Sequence, residues 1–397
     1  MEKVAMEKVD IAIVGAGIAG TALATALAGT GQSVALIDKR ENPLDTARGD
    51  HIQPAMLDVL DRWGVLDALI LAGAERRYGT SWFGSNGEKI LTVPVLGEKL
   101  KHPWFLFLNH EKIGSTLLKR ALESGAQYCS GVRSWRVQHD KDAWKLDYTL
   151  PDGSTRVLRA TLLVGADGSG SLVRKRLAIE EITHRYRYPI AVLYGRTRTP
   201  ADRRTLDVHL TKDRMVSVIP RTGGRSKIGF PIDTSELTRL RALSSDDLCE
   251  QLRRWSPGIE LSEAKFGAIY PPVSLQSRPF VGEGAAVLIG DASHAMHPAR
   301  SMGMNTCFRV ADQLSKLLSP IGVGFKQAEA ERAIAEHEAT FSAELAPRLA
   351  ENHEAGMQMD TLHGDEFKSL VAKLKVAAMN PEIRNSMARS AAGIAIK

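Results

Sequence analysis

Cysteine is scarce: Cys129, Cys249 and Cys307 are the only three in 397 residues, far apart and odd in number. That usage excludes a disulfide framework and a zinc pattern, and it fits reduced thiols in a cytoplasm. Long apolar runs are missing as well. No stretch reaches the roughly 18 apolar residues that a membrane span needs, and the opening MEKVAMEKVD lacks the apolar core of a signal peptide. A membrane role is therefore not expected. The repeated MEKV reads as an alternative start or a scar, so residues 1–7 stand outside the fold reasoning. No block of Lys or Arg occurs either. The net charge of +6 is spread along the chain, which gives solubility and a mild bias toward anionic ligands and argues against nucleic acid as a partner. No low-complexity segment or internal repeat stands out, and 44% hydrophobic with 25% charged residues is ordinary for a folded chain, so disorder is not indicated. The length bounds the fold at about two or three core-bearing units.

What is present is concentrated first between Val9 and Asp38. Ile11 to Val14 form a β-branched run, Gly15, Gly17 and Gly20 follow in G-x-G-x-x-G spacing with Ile18 and Ala19 between the last two, and an Ala-rich helical segment comes next. A second apolar strand, Val34 to Ile37, ends at Asp38, with Lys39 beside it. One glycine permits the turn, one lets backbone approach a pyrophosphate, and one lets helix and strand pack closely, while the helix N-terminus faces the anion. Asp38 is placed to accept hydrogen bonds from a ribose. The pattern predicts a dinucleotide site and leaves open whether the ligand is FAD or a nicotinamide.

Along the chain, the signals alternate between α/β and β text. A helix is expected from Ala55 to Leu71, a β excursion from Tyr78 to Leu106, a helix from His110 to Gly125, and two or three strands from Gln127 to Tyr148. The strand Leu162 to Val164 runs into Gly165-Ala166-Asp167-Gly168, with a basic helix near Ser171. Between Arg185 and Tyr270 the text is strand-like with one helix, Ser245 to Trp255. Ala285 to Ile289 then gives a strand ending at Gly290-Asp291, a long helix runs from about Gly303 to Leu318, and the tail from Gln327 is helical with breaks at Pro347 and Pro381. The expected fold is α/β: a Rossmann-like nucleotide domain in three parts (8–77, 107–184, 277–325), a mostly antiparallel β-sheet substrate domain in two (78–106, 185–276), and a C-terminal helical segment (326–397).

Two later motifs extend the first. Asp167 and Asp291 each lie at a strand end, where open α/β sheets bind ligands, and Gly303-Met304-Asn305 opens a helix whose amides suit a partly negative ring oxygen. With three motifs in this order, the chain resembles the group A flavoprotein monooxygenases, single-component aromatic hydroxylases of the para-hydroxybenzoate hydroxylase fold. The resemblance implies bound FAD: Gly15, Gly17 and Gly20 on the pyrophosphate, Asp38 on the adenosine ribose, Arg48 on the pyrophosphate, and residues up to His51 bordering the flavin. It also implies that Asp167 serves FAD and NAD(P)H, that Asp291 holds the ribityl or ribose side, that Pro298 lies beside the ring, and that Met304 and Asn305 offer amides to the flavin O2. The loop departs from the family's G-Q-G-x-N, reading Ser301-Met302-Gly303-Met304-Asn305, Val310-Ala311 replaces an Asp-Ala pair, and His110 stands where an arginine is common.

Transient NADH or NADPH, O2 and a small phenol or hydroxypyridine-like substrate are implied partners, with hydroxylation through a flavin C4a-hydroperoxide; a monomer or homodimer is expected. The alternatives are an FAD oxidoreductase that inserts no oxygen and a non-catalytic flavin carrier. His294 and His297 are candidate bases, Arg300 a candidate for a substrate carboxylate, and Pro298 a wall of the catalytic site. Tyr194, Tyr270 and His209 read as sheet packing and Cys307 as a buried thiol. Phe367 to Met379 reads as a helix packed on its own protein rather than on a membrane.

Overall fold

The computed structural model describes residues 6–41, 49–95, 100–197, 204–360 and 365–394. Its first sheet is built from apolar runs that pair in parallel: Met6–Val14 lies between Val34–Ile37 and Thr155–Gly165, with Gln127–Cys129 beyond the former and Ala286–Leu288 beyond the latter. Ile11 faces Val34 on one side and Leu162 on the other. Residues 11–14 and 162–165, with Val34–Ile37 and Ala286–Leu288, are buried on both faces, which is why they read as apolar runs rather than as alternation. The helix Ile18–Ala26 packs against both His110–Glu123 and Met302–Leu318. Two antiparallel strands, Ala143–Thr149 and Ser134–Asp140, extend the sheet from the first half of Thr155–Gly165.

The second sheet runs Leu261–Tyr270, Ile190–Thr197, Arg225–Pro231, Met215–Arg221, Leu206–Leu210, Gly79–Phe83, Lys89–Pro94, antiparallel except where Leu206–Leu210 meets Gly79–Phe83. Chain from both sides of the His110 helix therefore shares one sheet. Strand alternation divides its faces. Ala191, Leu193, Val216, Val218, Ile228 and Phe230 point to two covering helices, Thr234–Ala242 and Ser245–Trp255. Ile190, Val208, Leu210 and Met215 point the other way, against Leu374, Ala377 and Ala388 of the tail and Ala299. Small sheets link the layers: His51–Ile52 pairs with Phe105–Phe107, and Val273–Ser277 pairs with Glu181–Arg185 and His294–Ala295.

Three local expectations need correction. The Ala55 to Leu71 helix is two, Pro54–Arg62 and Leu66–Leu71, because Gly64 takes φ +70° between them. The helix Thr234–Ala242 was not anticipated: Leu240 is its one buried residue, so its apolar stripe is faint, and Asp233 starts it by accepting from Ser235 N. The predicted break at Pro347 does not occur, and Gln327–Asp360 is one helix. A proline in a helix interior costs about 3 kcal/mol, and the burial of Ile334, Phe341 and Leu345 along this helix outweighs it. The break before Pro381 is present, with Asn380 capping the last helix, Pro381–Ala391. That helix ends against the first layer: Ala392 O accepts from Ala55 N at 3.0 Å and Gly393 O from the Arg309 guanidinium at 2.7 Å. Among the described residues no helix is long and apolar enough to cross a membrane.

The long helix carries a buried defect. His337 is fully enclosed, stacked on Phe341 with its centroid at 5.1 Å and edge-on to Phe280, and neither ring nitrogen has a partner. Burial lowers its pKa to about 3, and that of nearby His294 to about 4. Above pH 6.5 both rings are neutral folded or unfolded, so they add no pH dependence. Below it the unfolded chain takes protons that the folded chain refuses, and stability falls by about 1.4 kcal/mol per pH unit for each ring until its folded pKa is reached. The urea midpoint should therefore drop steeply from pH 6.5 to 4.5, and His337→Phe should make that drop shallower. An unchanged slope in the variant would refute this account.

Candidate functional site

The first strand delivers Gly15 at φ +106°, where a Cβ would lie 2.3 Å from Ala166 O, and a Cβ on Gly20 would lie 2.0 Å from Gly15 O. Only glycine permits this double approach of backbone to backbone. A Cβ on Gly17 would meet nothing within 4 Å, and no side chain caps the helix that starts after it, so the loop presents amides to an open side. Asp38 closes the loop from the next strand: Oδ2 accepts from Ala16 N at 2.7 Å and Oδ1 from Arg40 N at 2.8 Å. Ile18 and Ala19 are buried and Lys39 is exposed. Arg48 lies outside the described residues.

The Asp167 carboxylate is turned toward its own helix. It accepts from Ser171 Oγ at 2.5 Å, Leu172 N at 2.7 Å and Val173 N at 3.2 Å, a complete N-terminal cap. Arg174, one turn on, was not among the predicted site residues. Its buried guanidinium donates to Ser169 O at 2.7 Å and Ala292 O at 2.8 Å, and it pairs with Glu181. It thus ties the Asp167 loop to the Asp291 loop. Gly290, at φ +59°, sits so near Ala19 that a Cβ would approach its side chain to 2.6 Å, so Asp291, half-buried in a single 3-10 turn, stands close to the glycine loop.

Ser301 takes φ +51°, ψ 34° before the helix Met302–Leu318, whose first turn has no side-chain cap. Asn305 braces this start: its Oδ1 accepts from Gln53 N at 2.8 Å, and its Nδ2 donates to His51 O at 3.0 Å and Ser301 O at 2.7 Å. The half-buried Gly303 and Met304 lie in the uncapped turn, so the predicted amides are brought to one edge with His51.

The histidines differ. His297 Nδ1 accepts from Ala299 N at 3.1 Å, and Asn352 clasps its backbone with two 2.8 Å bonds. Burial lowers its pKa to about 4, so near neutral pH the ring is uncharged with its proton on Nε2. His294 shares a 2.6 Å bond with Ser293 Oγ through Nδ1, and its buried Nε2 has no partner. His51 stacks on Phe107 at 4.7 Å, with burial lowering its pKa to about 3. Arg300 is engaged by the tail, at 2.7 Å from Glu351 and 2.6 Å from Ser390 Oγ. His209 packs in its sheet against Phe83 and bonds Ser256, as expected, and Cys307 is buried.

The second sheet roofs this loop. Register puts Tyr194, Lys227 and Ile219 in one row of the face, and Val192, Gly229, Ser217 and Val208 in the next. One end of the face meets Asp50, next to His51, and the other meets Ala299. Tyr194, Ile219, Ser217 and Gly229 are only half-buried although they lie in the middle of a covered sheet. At the Asp50 end four charges converge: Asp50 Oδ2 is 3.1 Å from both Lys227 Nζ and Arg221 Nε, and Arg221 reaches Glu111 at 3.1 Å.

The family model described as an FAD binding domain matches residues 8–337. A 6-hydroxynicotinate 3-monooxygenase from Bordetella bronchiseptica is 26% identical over 336 residues, covering 80% of this chain and 84% of that protein. An uncharacterised aromatic compound monooxygenase, YhjG of Bacillus subtilis, is 24% identical over 76% of this chain but only 59% of its own length. The crystal structure of p-nitrophenol 4-monooxygenase PnpA from Pseudomonas putida superposes with a TM-score of 0.82 at 17% identity, covering 97% of this chain and 98% of that one. At that identity the likeness is one of fold.

The Ser301 conformation is one that side chains adopt at a cost of about 1 kcal/mol. Ser301→Gly should raise stability by about 0.5–1 kcal/mol, read as a higher urea midpoint. A lower midpoint would mean that the serine side chain stabilises the loop by more than its backbone strain costs.

Proposed function

The chain belongs to the FAD binding domain family of flavoprotein monooxygenases, and from that premise we propose that it uses NAD(P)H and O2 to hydroxylate a phenol or hydroxypyridine-like ring. One observation carries this reading. The glycine loop, the Asp291 turn and the uncapped helix start at Ser301 converge beneath a sheet face whose central residues are half-buried, an arrangement suited to a long cofactor with a ring substrate above its reactive end.

The residues fit FAD on the geometry of their backbone. Gly15, Gly17 and Gly20, with Ile18 and Ala19 at the helix start, would take the pyrophosphate, Asp38 and Lys39 the adenosine end, and Asp291 the ribityl or ribose hydroxyls. The family resemblance assigns Arg48, outside the described residues, to the pyrophosphate, and His51 would border the ring edge. Pro298 would border the ring, and Gly303, Met304 and Asn305 would turn amides toward its pyrimidine oxygen. Asp167 acts at one remove: its oxygens cap a helix, and through Arg174 that helix fixes the Asp291 turn. When bound, FAD supplies reduction by NAD(P)H and activation of O2.

The protein's own contribution is orientation, exclusion of water and placement of one proton. Half-buried Ile219 on the sheet face and half-buried Met304 at the helix start would give the ring apolar neighbours. His297 is a donor in this arrangement, because Nδ1 is occupied by Ala299 N and Nε2 carries the hydrogen. With a pKa near 4 it would be a weak base, and it would hold a substrate oxygen by donation. Arg300, paired with Glu351, orders the loop.

Substrate-stimulated NAD(P)H oxidation with incorporation of one atom from labelled O2 is the expected result. Oxidation without incorporation would instead support an oxidoreductase that inserts no oxygen. His297→Gln, which keeps a donor nitrogen, should retain most of the kcat that His297→Ala loses, and the pH profile of kcat/KM should show no limb that vanishes with the histidine. Equal loss in both variants would restore a base role.

A further inference from the structure

The charge cluster at the Asp50 end of the roof lies beside His51, and its balance is informative. Asp50 is fully buried, Lys227 is 3% exposed and Arg221 8%. Asp50 Oδ1 accepts from His110 N at 2.9 Å, at the start of a helix, while Oδ2 stands 3.1 Å from each cation. Oδ2 and Arg221 Nε meet no partner in hydrogen-bonding alignment, so their contact holds by charge. Glu111 takes the other side of Arg221, whose guanidinium also lies 5.0 Å from the Tyr194 ring centroid. In the ion pairs formed by these described residues, two carboxylates thus face two cations.

Lys227 is the member nearest the ring-binding face. On that face it is flanked by Tyr194 and Ile219, both half-buried, yet its ammonium turns to Asp50. An incoming carboxylate would find this cation already neutralised, and its own charge would leave the buried set net negative, which is costly where water is excluded. An uncharged ring meets no such penalty. We propose that Asp50 is a specificity-determining residue that withholds Lys227 and Arg221 from the substrate, so that the site takes uncharged hydroxyaromatics and turns away aromatic carboxylates. This deepens the hydroxylase reading above and rests on it.

The test uses the FAD-loaded full chain at pH 7.5 with two matched probes, 4-hydroxybenzoate and its methyl ester, whose binding is followed by perturbation of the flavin absorbance. The wild type should bind the ester at least about tenfold more tightly than the acid. Asp50→Asn should narrow or reverse that ratio by about tenfold, and adding Lys227→Met to it should cancel the change. A merely structural cluster would weaken both probes alike and leave the ratio fixed, which would overturn the proposal, as would a wild type that binds acid and ester equally. Should Asp50→Asn not fold, Lys227→Met alone decides: the ester preference should persist, whereas a loss of acid binding would show that Lys227 already reads carboxylates. A failure of the hydroxylase reading looks different, since then neither probe would perturb the flavin and no aromatic would stimulate NAD(P)H oxidation.

Discussion

The structure depends on one close approach, where the turn after the first strand lies against the end of the Thr155–Gly165 strand with no room for a side chain at Gly15. Parallel strands cannot be joined by a tight turn, so the partners of the first strand come from distant parts of the chain. The contact of Gly15 with Ala166, and of Gly20 with Gly15, is therefore where sequence-remote pieces are brought to a common origin. From it the positions of Asp38, Asp167 and Asp291 follow, because each ends a strand of the same sheet or the turn just beyond it.

A second set of contacts sets the depth and tilt of the edge on which chemistry would occur. Asn305 joins the His51 strand to the start of the Met302 helix, Asn352 grips His297, and Glu351 and Ser390 hold Arg300. Each brace crosses between elements far apart in the chain, and the two asparagines satisfy polar groups that would otherwise be buried unpaired. The loop from His297 to Asn305 is thus held from two sides, by the first layer and by the helical tail. The roof sheet meets it through Ala299 at one end and through the Asp50 cluster at the other.

Much of this was legible in the sequence because it is local. The glycine spacing, the acids at strand ends and the proline followed by a helix start are each set within a few residues, and strand text between Arg185 and Tyr270 announced the second sheet. What was hidden depends on partners far along the chain. Nothing near Arg174 says that Ala292 will accept its hydrogen bond, and nothing near Arg300 names Glu351. The tautomer of His297 is decided by one backbone amide, which no pattern of residue types reveals. Asp50 looks like a loop acid until the roof strands are paired and Lys227 appears opposite. Pro347 misled for the same reason: the local penalty is visible, and the packing that outweighs it is not.

The sheet order has a consequence for how the molecule comes into being. The Met6–Val14 strand is made well before Thr155–Gly165 and Ala286–Leu288 emerge, and the grip of Ala392 and Gly393 on the first layer comes later still. During synthesis the Met6–Val14 strand must wait with one edge unpaired, a state that is slow to resolve and exposed to mispairing. The cofactor cradle is thus a late product of translation, and the residues that begin it are the ones that stay incomplete for longest.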